Sequence, residues 1–241
     1  MMIKKSAYLL LGTFILITNF TAAQSSINVP KNQYGIPVIV REDNYKKIIS
    51  NDRDQKMVDL NQLIPGIILD LRYAGKNNFM HRRMYPSNTT FTFLRKPAAD
   101  SLLKVQEELN AQGLGLKIFD AYRPYSVTEK FWELIHDERY VADPSKASNH
   151  NRGIAVDLTI VNLQTLQESN MGTGFDNFTD SAHQAFTDLP NDVLQNRKFL
   201  QELMEKYGFI QLKTEWWHFT LQSKNEFDAM DLSFKSLKKM N

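Results

Sequence analysis

The chain has 241 residues, 42% hydrophobic and 23% charged, the make-up of one sizeable globular domain. A net charge of +2 with no Lys/Arg block gives nucleic acid no electrostatic handle and argues against polybasic membrane attachment. There is no cysteine, which excludes disulfides, thiolate metal sites and a catalytic thiol.

At the N-terminus, Lys4 and Lys5 precede the apolar run AYLLLGTFILI and then TNFTAAQ. A positive start, an apolar stretch too short to span a bilayer and small residues at Thr21 and Ala23 predict a signal peptide over residues 1–23. Cleavage after Ala23 would give an exported, periplasmic protein with no stable membrane insertion. Residues 24–55 are polar, hold Pro30 and Pro37, and show no sustained helical period. They read as an extended arm on the surface of a domain filling residues 56–241.

Within that domain the first strand candidate is GIILDLRY, residues 66–73. A helix follows Pro97, with Leu102, Val105 and Leu109 on one stripe and Gly113 beyond its end. Next comes GLKIFDAY, residues 115–122, running into a polar cluster of Asp120, Tyr122 and Arg123 closed by Pro124. A second helix starts at SVTE, where Ser126 and Glu129 have capping-box spacing. GIAVDLTI, residues 153–160, is the third strand candidate. A third helix runs from about Asp192 to Tyr207, with Leu200, Leu203, Met204 and Tyr207 on one face before Gly208. FIQLK and WHFTLQ, residues 209–213 and 217–222, complete the strands. No tight βαβα alternation is present, so the expected class is α+β: a largely antiparallel sheet with helices packed on one side.

The chemistry must come from other groups. There are five histidines: His81, His136, His150, His183 and His218. A GxSxG elbow, a P-loop and an HExxH helix are all missing. Two histidine neighbourhoods stand out: SNHNRGIAVDLTI, with His150 and Asp157, and TEWWHFTL, with Glu215 and His218. Two imidazoles and a carboxylate suit Zn²⁺ with one position left for water, and Glu215 could move that water's proton. The same residues have plain readings as a bonded core histidine, a turn-capping aspartate and a solvated edge glutamate. Spacing leaves both open. An odd offset on a regular strand sends two side chains to opposite faces. His150 and Asp157 therefore converge only if NRG turns the chain, with Gly153 supplying a permissive backbone. By the same argument Glu215 must lie in a turn or bulge before the strand of His218. Arg123 at a strand end could face a developing oxyanion, or pair with Asp120 and pin the turn.

Five ordered blocks, LRYAGKNNF, GLGLKIFDAYRP, SNHNRGIAVDLTI, MGTGFDNFTDSAH and GFIQLKTEWWHFTL, bring in a resemblance that covers most of residues 55 to 225. Ser148, His150, Gly153, Ala155 and Asp157 satisfy SxHxxGxAxD, and Glu215 and His218 satisfy ExxH. The chain resembles the D-alanyl-D-alanine dipeptidases of the VanX type, zinc metallopeptidases of the DD-peptidase/hedgehog-like fold. The resemblance implies one Zn²⁺ on His150, Asp157 and His218, with Glu215 as general base and then acid. It also implies that Arg123 stabilises the tetrahedral intermediate, that Asp176 meets the substrate ammonium, and that Tyr73 and Ser148 line a small pocket. His183 falls to a structural role. The implied reaction is hydrolysis of D-Ala-D-Ala or a related short D,D-dipeptide. One departure is Asn149, where the family often has serine, and it bears on specificity. A D,D- or L,D-carboxypeptidase acting on peptidoglycan stems is the enzymatic alternative, and it has no use for an ammonium-binding Asp176. A non-catalytic zinc-binding domain is the other, and Glu215 speaks against it.

Overall fold

The computed structural model describes residue 27 and residues 29–241, so the expected signal peptide lies outside the described residues. In chain order the elements are β1 (Val38–Ile39), α1 (Glu42–Asn51), β2 (Met57–Asp59), α2 (Leu60–Leu63), β3 (Ile68–Leu69), β4 (Phe93–Arg95), α3 (Lys96–Asn110), β5 (Leu114–Asp120) and α4 (Tyr125–Trp132). They continue as α5 (Asn149–Arg152), β6 (Ala155–Asn162), α6 (Asn191–Lys206), β7 (Phe209–Gln211), β8 (His218–Leu221), β9 (Ala229–Met230) and α7 (Phe234–Lys239).

The main sheet has the order β3-β5-β6-β8-β7 and uses the five stretches that the residue pattern marks as strands. β3 runs parallel to β5 and every other pairing in it is antiparallel. The class is therefore α+β with a largely antiparallel sheet.

Paired residues share a face, and alternation separates the two faces chemically. Leu116, Ile118, Val156, Leu158, Ile160, Phe209, Phe219 and Leu221 form one apolar face. Leu102, Val105 and Leu109 of α3, with Leu200, Leu203 and Met204 of α6, pack on it. Asp157, His218 and Thr220 fall on the opposite face. A bulge in β5 adds one more group there. Ile118 pairs with Leu158 but Asp120 pairs with Asp157, so Phe119 is the extra residue. Without it, Asp120 would point toward the apolar face; with it, Asp120 stands beside Asp157.

Two expectations are corrected. The arm is not simply extended: α1 occupies residues 42–51, with Tyr45 buried and Ile48 and Ile49 packed beside it. That i, i+3, i+4 pattern lasts barely one repeat among lysines, too short to register as a period. The helix is fixed instead by tertiary contacts, including Met57 N–H donating to Tyr45 Oη at 2.7 Å. β1 also pairs parallel with β9, tying the arm to the C-terminal region. The second correction concerns α4, which starts at Tyr125 after Pro124 and has no side-chain cap. Ser126 sits inside its first turn, and its N–H and hydroxyl both donate to Asp231 Oδ1, at 3.0 and 2.8 Å. A carboxylate from a distant segment does the capping that SVTE suggested was local.

Candidate active site and metal centre

His150 is delivered by α5, a single helical turn that caps itself. Ser148 Oγ accepts from His150 N–H and Asn151 Oδ1 accepts from Ser148 N–H, a reciprocal capping box. Gly153 ends the turn at φ +74, where a Cβ would lie 2.7 Å from Met57 Sδ. The left-handed backbone favours glycine there, and a Cβ would also displace the end of the Met57 side chain. NRG breaks the chain direction, and β6 begins two residues later with Asp157 on the site face. α5 is latched to the segment after β5: Arg123 N–H donates to His150 O at 3.2 Å and Asn151 Nδ2 donates to Arg123 O at 2.9 Å.

Asp157 and His218 are cross-strand partners, and His218 Nδ1 lies 2.9 Å from Asp157 Oδ1. His150 Nε2 lies 3.3 Å from Asp157 Oδ2 and 3.1 Å from His218 Nδ1. One ligand atom from each of the three falls within 4.8 Å of the others. His150 Nδ1 is 2.7 Å from Ala121 O, which fixes its proton on Nδ1 and leaves Nε2 as a lone pair. His218 Nε2 can donate to Thr220 Oγ1 at 3.3 Å, leaving Nδ1 as a second lone pair. Two nitrogen lone pairs and a carboxylate aimed at one point repel each other unless a cation lies between them. A two-nitrogen, one-oxygen set of this kind fits Zn²⁺ with a position left open.

Glu215 lies in the turn between β7 and β8, with Oε2 3.9 Å from His218 Nδ1. The turn is what lets an i, i+3 pair reach one site. Burial, then the negative charges of Asp157 and Asp176, push the Glu215 carboxyl well above the usual carboxylate range. With no cation between it and the two histidines, Asp157 is held low: burial would raise it, but His150 and His218 in their protonated, donating form outweigh that.

Arg123 pairs with Asp120 and also borders the cavity. Its Nε and Nη2 donate to Asp120 Oδ2 at 2.9 and 2.8 Å, while Nη2 also lies 3.9 Å from Asp157 Oδ2. The guanidinium is sandwiched near the Tyr73 and Phe131 rings, 5.3 and 4.8 Å from their centroids, and borders the cavity. Asp120 is fully buried and accepts from Tyr85 Oη at 2.7 Å as well. Sequence reasoning gave Asp120 only a pinning role, because the bulge that brings it to the site is invisible in the alternation.

Asp176 lines the same cavity. Tyr73 Oη donates to its Oδ1 at 3.0 Å and Phe79 N–H to its Oδ2 at 3.1 Å. Its backbone is left-handed at φ +61, and burial pushes its pKa up to about 7. The Phe79 donor was missed, since a main-chain N–H leaves no mark in a sequence. Ser148 borders the cavity although its oxygen caps α5, and Asn149 is exposed at the rim with Nδ2 3.4 Å from Thr220 Oγ1. His81, His136 and His183 stand outside the cavity lining.

The cavity that joins these groups holds about 200 Å³. That is below the roughly 300–1,000 Å³ of drug-sized ligand pockets. Its lining includes the Asp176 carboxylate, the Arg123 guanidinium, the three converging donors and Glu215.

Comparison with known proteins adds family context. A family model described as D-Ala-D-Ala dipeptidase matches residues 53–236. A D-alanyl-D-alanine dipeptidase of Escherichia coli (strain K12) is 34% identical over 166 residues, covering 69% of this chain and 84% of that protein. One from Enterococcus faecalis (strain ATCC 700802 / V583) is 29% identical over 180 residues, covering 67% and 89%. Among solved structures, the LdcB LD-carboxypeptidase is 24% identical with a TM-score of 0.37. That match covers 56% of this chain, which spans 61% of the carboxypeptidase.

Proposed function

Because the chain belongs to the D-Ala-D-Ala dipeptidase family, we propose that it hydrolyses D-Ala-D-Ala, or a closely related short D,D-dipeptide, as a zinc enzyme. The observation that carries this reading is the pairing of Asp176 with the converging His150, Asp157 and His218 across one small cavity. A buried carboxylate in so small a cavity selects a substrate with a free ammonium, and the small volume limits the length of what can bind.

Zinc held by His150, Asp157 and His218 would supply Lewis acidity, polarising the scissile carbonyl, lowering the pKa of a water and offsetting the charges that keep Glu215 protonated. Glu215 then takes the attacking water's proton and returns it to the leaving amine, so the base of one step is the acid of the next. Arg123, held in place by Asp120, presents fixed positive charge to the oxygen that becomes anionic. Asp176 binds the ammonium, and Tyr73 and the Phe79 N–H keep its two oxygens oriented. Ser148 holds α5 and borders the bound dipeptide. The N-terminal pattern supports export to the periplasm, where such an enzyme would recover D-alanine from wall dipeptides. Cell fractionation checks that assignment, and cytoplasmic recovery of the full-length chain would refute it.

The deciding assay incubates the purified protein plus zinc with D-Ala-D-Ala, its N-acetyl derivative and a stem pentapeptide, and measures released D-alanine. Cleavage of the free dipeptide alone is expected. Cleavage of the blocked or longer substrates would favour a carboxypeptidase and remove the ammonium argument. Zinc binding without turnover of any of them would leave a non-catalytic domain.

A further inference from the structure

The geometry points to a further role for α6: we infer that Arg197 is a positioning residue that fixes the Asp176 loop against the turn carrying Glu215. The inference rests on reading Asp176 as the ammonium site.

Arg197 is 2% exposed. Its guanidinium spends its donors on backbone carbonyls at both ends of one loop, residues 170–183. Nε donates to Met171 O at 2.8 Å, Nη2 to Ser181 O at 2.9 Å and Nη1 to His183 O at 3.2 Å. Burial alone acts on its pKa, pulling it down to about 10, and no carboxylate offsets the cost. A buried cation without a counter-charge is expensive, which makes its use on three loop carbonyls a specific arrangement rather than a surface accident. The neighbouring Asn196 adds a bond from Nδ2 to Asn170 O at 2.9 Å. Gly172, at φ +80, lets the loop press on the same helix, since a Cβ there would lie 2.9 Å from Val193 Cγ1.

The other side of the loop is held by the residue after Glu215. Trp216 N–H donates to Ala182 O at 3.1 Å and its indole Nε1 donates to Thr173 Oγ1 at 2.8 Å. The carbonyls of Ser181, Ala182 and His183 are thus taken alternately by Arg197 and Trp216. Asp176, in the middle of the loop, is set relative to Glu215 through this clamp, and that separation determines how a dipeptide lies over the reacting groups. Lysine cannot reproduce the arrangement, because one ammonium cannot span carbonyls at both ends of the loop.

The test is steady-state kinetics of the zinc-loaded full chain on D-Ala-D-Ala for wild type, R197K, D176N and the double variant. R197K should raise KM by about 10- to 100-fold, the scale of a misplaced binding group, with kcat changed far less. Zinc affinity, read by chelator competition, should be unchanged. In the D176N background R197K should add little, because both act through one carboxylate. An unchanged KM, or additive losses in the double variant, would overturn the inference. Should R197K not fold, Gly172→Ala moves the same loop end by pressing on Val193 and Leu189, with its Cβ at 3.6 Å from Arg197 Nη2, and leaves the guanidinium's chemistry intact; the same KM-specific loss is expected, and an unchanged KM overturns the inference equally. An inactive wild type would overturn the functional reading and the loop's role with it, whereas an active wild type with an unaffected R197K overturns the clamp alone.

Discussion

Each side chain in the cavity is set by its surroundings more than by its type. Glu215 and Asp157 are both buried carboxylates, yet burial, with the charges of Asp157 and Asp176, pushes Glu215 up, while the imidazoles in their protonated form hold Asp157 low in spite of its burial. Glu215→Gln should cut turnover by at least about 10²-fold, the typical share of a general base, while chelator competition shows zinc still bound. Retained activity would remove Glu215 from the mechanism. Asp176 gives a pH prediction with a definite sign. Its carboxyl lies near 7 in the fold against an ordinary 3.8, so the native state binds the proton more tightly than the unfolded chain does. Its ionised form therefore opposes folding above pH 7, and the penalty fades as pH falls from 7 toward 4. Asp176→Asn should melt higher than wild type at pH 8, with the gap closing by pH 4. The same variant should lose about 2 kcal/mol or more of substrate binding, measured as kcat/KM. In the wild type, kcat/KM should decline below pH 7 as the carboxyl is protonated.

The elements show which patterns a sequence displays. The five sheet strands fall in stretches rich in β-branched or aromatic residues, and the helices α3 and α6 are long, so residue order marked all of them. α1 escaped because its apolar stripe spans only Tyr45 to Ile49, and the cap of α4 escaped because Asp231 comes from 105 positions away. α5 was legible as a break, through Gly153, but not as a self-capped turn. Gly153→Ala should cost about 1–3 kcal/mol, since it forces an L-residue into left-handed backbone against Met57. The distortion acts directly on the turn that carries His150, so zinc affinity should fall together with the melting temperature. Unchanged zinc affinity would uncouple the turn from the metal centre.

At the scale of the whole molecule, the donors come from segments far apart in the chain, so metal binding and folding are linked. His150 and His218 are 68 positions apart and meet only in the folded sheet. Zinc should stabilise chelator-stripped protein by about 2.7 kcal/mol at a free concentration 100 times Kd, and so raise its melting temperature. A thermal melt that ignores zinc would contradict the proposed ligand set. Removing residues 27–41 should destabilise the fold, because Val38 and Ile39 are buried and pair with β9.

Residue order alone marks the sheet strands, the long helices and the candidate ligands, because local periodicity and residue chemistry are written along the chain. It also required a break at NRG and a turn at Glu215, since strand geometry forbids convergence without them. The tertiary structure decided what depends on register and distant partners. The bulge at Phe119 brings Asp120 beside Asp157, the Phe79 N–H orients Asp176, and Arg197 closes the loop through backbone carbonyls. Main-chain donors and acceptors are the same at every residue, so only the fold reveals which of them a side chain meets.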